Sequence, residues 1–127
     1  MNKIFFSIEY DFNNVSSTFL WNHIVTPDGL ASWFADRVEV NGKHFTFFWN
    51  DERRTATQIA IKTGSYIKLR WDDECNKKNY FEFKLIQNEL TKNITLVISD
   101  FADKEEIKDY IDLWDEQIAI LRKNLGA

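Results

Sequence analysis

Few side chains in this chain could carry catalytic chemistry, and their spacing builds no reaction centre. His23 and His44 lie about twenty residues apart, with no Cys or carboxylate at ligand spacing around either, so neither a metal site nor a general base is expected from them. Cys75 follows Asp72, Asp73 and Glu74, whose charges favour the neutral thiol over the reactive thiolate, and it reads as a spectator. The run Asp72-Asp73-Glu74 followed by Lys77-Lys78 reads as a solvated hairpin tip and lacks the ordered oxygen spacing of a calcium loop. Arg70, Glu82 and Lys84 fall on the polar phase of neighbouring strands and are expected to pair across the sheet, each pair contributing tenths of a kcal/mol. No Ser-His-Asp order, Gly-rich phosphate loop or metal motif occurs, so no catalytic residue, metal ligand or cofactor is assigned.

The aromatic residues are the better candidates. Eleven Phe and five Trp raise the aromatic share to 16%, enough to build a core of rings or to line a cavity with them. Trp33, Phe34, Phe45, Phe47, Trp49, Trp71, Phe81, Phe83 and Trp114 are expected to converge, together with Ile118. Rings of that size either fill the space between the elements that carry them or leave a pocket there. The expectation taken forward is a modest apolar cavity near Trp33 and Trp114 that holds a hydrophobic small molecule. Leu113 and Ile120 sit among acidic residues, away from the other apolar positions nearby, and are candidates for a surface that meets a protein partner.

These residues need elements to position them, and the segment from Asp103 to Leu125 organises the rest. At 100° per residue, Ile107, Tyr110, Ile111, Trp114, Ile118, Leu121 and Leu125 share one stripe, the pattern of an amphipathic helix. Asp103 with Glu106 predicts its N-terminal cap, Arg122 and Lys123 suit its C-terminal dipole, and Gly126 can close it. Burying the whole stripe would contribute on the order of 10–15 kcal/mol before entropy is subtracted.

Ahead of this helix, Ile4, Phe6, Ile8, Tyr10 and Phe12 alternate with polar residues and predict a half-buried strand. Ser16 to Val25 reads as a short helix, and Thr26-Pro27 opens a second one, although Gly29 weakens that second pattern. From Val38 onward a two-residue period holds for about sixty residues. Asn41-Gly42 predicts a tight hairpin turn with positive φ at both positions, and strands follow over 43–49, 55–62, 66–71, 80–86 and 93–99. Asn50 to Arg54 and Asp72 to Asn79 read as polar loops. Short connections make the strands antiparallel neighbours. The expected fold is therefore α+β: six to seven curved antiparallel strands wrapped around a long C-terminal helix, with two short helices after the first strand.

Composition bounds the partners. A chain of 127 residues fits one domain, and a single cysteine makes no internal disulfide. With a net charge of −4 and no run of Lys or Arg longer than a pair, nucleic acid and anionic membrane are disfavoured. No apolar run approaches a membrane span and no charged-then-apolar leader opens the sequence, so a cytoplasmic protein is expected.

The element order, together with Trp21, the stretch from Thr26 through Asp36 and a terminal helix centred on Leu113-Trp114, resembles the START-like superfamily. Within it the chain is most similar to the branch named after the activator of the heat-shock chaperone ATPase, and to small one-domain START-like proteins of Bacteroidetes. The resemblance covers essentially the whole chain and implies a helix-grip fold. It implies a non-enzymatic binding module that takes a hydrophobic small molecule between sheet and helix, or a protein partner as chaperone-activating relatives do. The other reading it leaves open is a small cyclase or dehydratase-type enzyme, which would need an ionisable group in the cavity with a perturbed pKa.

Overall fold

The computed structural model describes residues 2–126. The chain runs β1 (Ile4–Phe12), α1 (Ser17–Val25), α2 (Pro27–Ala31), β2 (Arg37–Asn41), β3 (His44–Trp49), β4 (Glu52–Lys62), β5 (Tyr66–Trp71), β6 (Phe81–Gln87), β7 (Ile94–Ala102), a 3-10 turn (Lys104–Glu106) and α3 (Ile107–Leu125). The strands form one seven-stranded antiparallel sheet in the order β1-β7-β6-β5-β4-β3-β2. Each of β2 to β7 lies beside its sequence neighbour because the connections between them are tight. β1 returns to pair with β7, from Ile4 opposite Ala102 to Phe12 opposite Ile94. This is the helix-grip arrangement that the element order predicts.

Opposed residues of an antiparallel pair share a face, so the register shows which side chains meet α3. Phe12, Phe45, Phe47, Ala56, Ile67, Leu69, Phe81, Phe83, Ile94, Leu96 and Ile98 form the buried face of the sheet. From the helix, Trp114, Ile118 and Leu121 are buried against it. Ile107, Tyr110, Ile111 and Leu125 are only half-buried, so the docked stripe contributes roughly two-thirds of what full burial would give.

Several local expectations shift, each for a physical reason. Asp103 makes no side-chain cap; its backbone carbonyl accepts from Glu106 N at 2.8 Å, which closes a 3-10 turn and delays the α-helix to Ile107. At the other end Gly126 takes φ 72° and donates to the carbonyls of Arg122 and Lys123, as the sequence anticipates. The first hairpin turn is one residue later than predicted. Asn41 pairs with His44, leaving Gly42-Lys43 as the central pair, and of these only Gly42 has a positive φ. Strand β4 begins at Glu52 rather than Thr55, and β7 ends at Ala102 rather than Ser99.

The α1–α2 corner explains why Gly29 interrupts a helical pattern. Ser16 Oγ accepts from Phe19 N at 3.0 Å and Thr26 Oγ1 from Gly29 N at 2.9 Å, capping the two helices. A Cβ on Gly29 would lie 2.2 Å from Asn22 O and 2.6 Å from His23 Cα. Only a glycine lets the two helices approach this closely. The corner delivers Trp33 and Phe34 to the interior.

Candidate functional site

Phe34 is the centre of the ring cluster. Its ring lies 5.0 Å from Phe47, 5.6 Å from Trp33, 5.6 Å from Trp49, 5.7 Å from Trp114, 5.9 Å from Phe83 and 6.2 Å from Phe81, centroid to centroid. Rings at these separations are in contact, so the space between sheet and helix is filled at this level. The Phe34 carbonyl accepts from Trp49 Nε1 at 2.8 Å and Gln117 Nε2 at 3.0 Å, tying β3 and α3 to the α2–β2 connection. Trp33 Nε1 donates to the His23 carbonyl at 2.8 Å.

Beside this packed cluster the surface opens into a cleft of about 380 Å³, walled by Phe34, Trp49, Trp71, Leu113 and Trp114 and edged by Glu52, Arg54, Asp100, Tyr110 and Gln117. Two of these edge residues are ions on the apolar phase of their strands. Arg54 stands opposite Phe47, and Asp100 stands opposite Phe6.

Each ion is held differently. The Arg54 guanidinium lies 4.0 Å over the Trp71 ring and forks onto Asp73, with Nε to Oδ2 at 3.0 Å and Nη2 to Oδ1 at 2.9 Å. That hydrogen bonding holds the Asp73 carboxyl below the usual carboxylate range. Asp100 accepts from Phe101 N at 2.8 Å and from Trp114 Nε1 at 3.2 Å. Crowding by protein atoms removes water from Asp100 and pushes its pKa up to about 6, although both donors act in the opposite direction. Among the described residues no ion pair reaches it. Burial also raises the pKa of the neighbouring Tyr110 hydroxyl, and the charge of Asp100 raises it further. Behind Asp100 a recess of about 40 Å³ runs between Lys3, Glu74, Asn79 and Tyr80, large enough only for water.

Comparison with known proteins places this geometry in a family. A model of the START-like superfamily domain matches residues 1–127. The chain belongs to the START-like superfamily. A protein from Bacteroides fragilis with a solution NMR structure is 42% identical, covering 98% of this chain and 92% of its own, with a TM-score of 0.70. The Aha1 dimer from Colwellia psychrerythraea is 13% identical at a TM-score of 0.72, covering 94% of this chain and 96% of its own. An uncharacterized protein of Bacillus thuringiensis is 11% identical at a TM-score of 0.79, covering 98% and 100%. At such identities the last two establish the shared START-like fold. No curated protein matches the chain.

Within this START-like domain the residues proposed from the sequence divide into four groups. Phe34, Trp49, Trp71 and Trp114 reach the cleft. Phe45, Phe47, Phe83 and Ile118 lie in the packed core beneath it, each no more than 2% exposed. Trp33 faces a separate shallow depression that it shares with Ser32, Asp36, Gln117 and Ile120. Leu113 and Ile120 are exposed on α3, at 56% and 48%.

The polar loop is an exposed hairpin tip between β5 and β6, as the sequence predicts, but its acidic residues do not pair with Lys77 and Lys78. Asp72 accepts from Thr57 Oγ1 at 2.7 Å, Asp73 binds Arg54, and Glu74 pairs with Lys3 at 2.9 Å and accepts from Asn79. Lys3 is raised in pKa by that bond to Glu74. Arg70 does not pair across the sheet; it donates to the carbonyls of Asn79 and Lys77 and fastens the same loop. Cys75 is exposed and His23 Nδ1 bonds the Phe19 carbonyl at 2.8 Å. Among the described residues no group of three or more His, Cys, Asp or Glu is placed to hold a metal, and no helix is long and apolar enough to cross a membrane.

Arg54, Asp100 and Tyr110 are the site residues that the sequence reading passes over. The signal for Asp100 is Ala102, which resumes the inward phase of Ile94, Leu96 and Ile98 after one carboxylate.

Proposed function

We propose that this START-like domain is a binding module whose cleft, between the terminal helix and strands β3 to β5, takes a small molecule with a hydrophobic ring body. The observation that supports this reading is the aromatic wall of Phe34, Trp49, Trp71 and Trp114 beside about 380 Å³ of open space, a volume within the range of small-molecule sites. The rings that fill the interior leave the ligand at the mouth of the fold rather than at its centre. Asp100 is an ionisable group of the kind an enzyme would need. Among the described residues no histidine, thiol or second carboxyl hydrogen-bonds it, which favours recognition over proton transfer. Native mass spectrometry of protein purified from its own host tests the reading. A retained small molecule that Trp114→Ala abolishes supports it, and ligand-free protein together with no saturable Trp quenching by aromatic probes removes it.

A second reading has its own observation. Leu113 and Ile120 expose apolar surface on one side of α3, and the Colwellia relative with this fold is a dimer. In that reading α3 presents these two residues to a protein partner, in the manner of chaperone-activating relatives. Leu113→Asp combined with sedimentation velocity tests it.

A further inference from the structure

The chain already contains one complete example of how this cleft treats a cation, and an incomplete one beside it. The Arg54 guanidinium lies over the face of Trp71 and is held at its edge by the carboxylate of Asp73. On the other side of the cleft the same two components recur: the indole of Trp114, and the carboxylate of Asp100 bonded to its edge. Among the described residues no basic side chain pairs with this second carboxylate. Each oxygen of Asp100 accepts one N–H, from Phe101 and from Trp114, which leaves lone pairs on both oxygens for further donors. The two basic side chains nearby are committed elsewhere, Lys3 to Glu74 and Arg54 to Asp73. The other ionisable groups that line the cleft or the recess behind it with Asp100 are Tyr110 on α3, Tyr80 before β6, Glu74, which is paired with Lys3, and Glu52 at the start of β4, and none of them supplies positive charge. With the Arg54–Asp73 pair neutral, the edge of the cleft carries the excess negative charge of Glu52 and Asp100.

We infer that the cleft is a receptor for a ring-bearing organic cation, with the flat apolar body against Trp49, Trp71 and Trp114 and a protonated nitrogen donating to Asp100. This rests on the small-molecule reading above and narrows it to one ligand class. A cation near an aromatic face gains from the ring quadrupole, and a charge-assisted bond to a partly desolvated carboxylate adds to that gain. An anionic ligand would have to displace Asp73 from Arg54 and approach two other carboxylates. A neutral ring would bind without using Asp100 at all.

Three probes with one ring and one chain length separate these cases: phenylbutylamine, phenylbutanol and phenylbutyrate, titrated calorimetrically into the full chain. The amine is expected to bind about tenfold more tightly than the alcohol at neutral pH, and the carboxylate more weakly than either. Asp100→Asn should bring the amine down to the affinity of the alcohol. The wild-type chain provides an independent check, because its preference for the amine should shrink as Asp100 takes up a proton below about pH 6. Equal affinity for amine and alcohol overturns the cation assignment while leaving a binding cleft in place. Tightest binding by the carboxylate overturns it in favour of Arg54 as the anchor. No binding by any of the three removes the cleft reading together with the inference.

Discussion

Trp114 Nε1 donates to Asp100 Oδ2 across 3.2 Å, joining the middle of α3 to the end of β7 where the cleft opens. The bond satisfies a buried indole N–H, and it holds a carboxylate in a place where water reaches it poorly. The stability of the chain should therefore depend on the protonation of Asp100.

The sign follows from the direction of the shift. In the folded chain the pKa of Asp100 rises from the ordinary 3.8 to about 6, so between those values the folded state keeps a proton that the unfolded chain has released. Stability from this group is then lost as pH rises through that window, and the full cost persists above it. Asp100→Asn removes the charge but keeps only one of the two acceptors, so one of the N–H donors of Phe101 and Trp114 loses its partner at every pH. Relative to the wild-type chain the variant should gain on the order of 1 kcal/mol in denaturant unfolding between about pH 4 and pH 7. A difference that stays constant with pH would show that Asp100 is as well solvated in the folded chain as in the unfolded one.

How far the sequence could be read depends on where it stays locally consistent. The alternation of β1, β5 and β6, the stripe of α3 and the Gly126 closure all follow from the residues because period, cap and burial agree. The strand ends beside the cleft do not. Arg53-Arg54 looks like a turn, and Asp100 looks like the end of a strand, because an ion on the apolar phase breaks the alternation that defines a strand. Arg54 is tolerated there because Trp71 and Asp73 receive it, and Asp100 because Phe101 N and Trp114 Nε1 do. Apart from the adjacent Phe101 N these partners are distant in sequence, so no local pattern could announce them. Which of many rings would fill the centre was likewise illegible: period places Phe34 on an inward face, and only packing makes it the one that six others touch.

Because Phe34 is 4% exposed and meets six rings, its removal should leave a cavity that its stiff neighbours cannot close. Phe34→Ala is expected to cost about 3–5 kcal/mol, and Phe34→Leu markedly less. Chemical denaturation of the two variants checks the ranking, and equal losses would contradict the hub role.

Two glycines should behave oppositely to their backbone angles. Gly42 has φ 62° with nothing within 4 Å of an added Cβ, so Gly42→Ala should cost only about 1 kcal/mol for the left-handed conformation. At Gly29 the added Cβ would lie 2.2 Å from Asn22 O, and the α1–α2 corner would have to open. Gly29→Ala should therefore lower the thermal midpoint far more than Gly42→Ala does.

Leu113, at 56% exposure, contributes little to folding, so Leu113→Asp should change stability by no more than about 0.5 kcal/mol. If α3 is a partner surface, any association seen in sedimentation velocity should be lost in this variant. A grossly unfolded variant would instead assign Leu113 to the core.

The central claim is that small molecules bind at the mouth of the fold, between Asp100 and the tryptophans. The five indole N–H signals in a nitrogen–proton correlation spectrum, followed during titration with phenylbutylamine, test it most directly. Trp49, Trp71 and Trp114 line the cleft, whereas Trp21 is buried on α1 away from it. Saturable shifts of the first three signals with Trp21 unmoved are the expected result. An unchanged spectrum, or equal shifts of all five signals, would contradict the account.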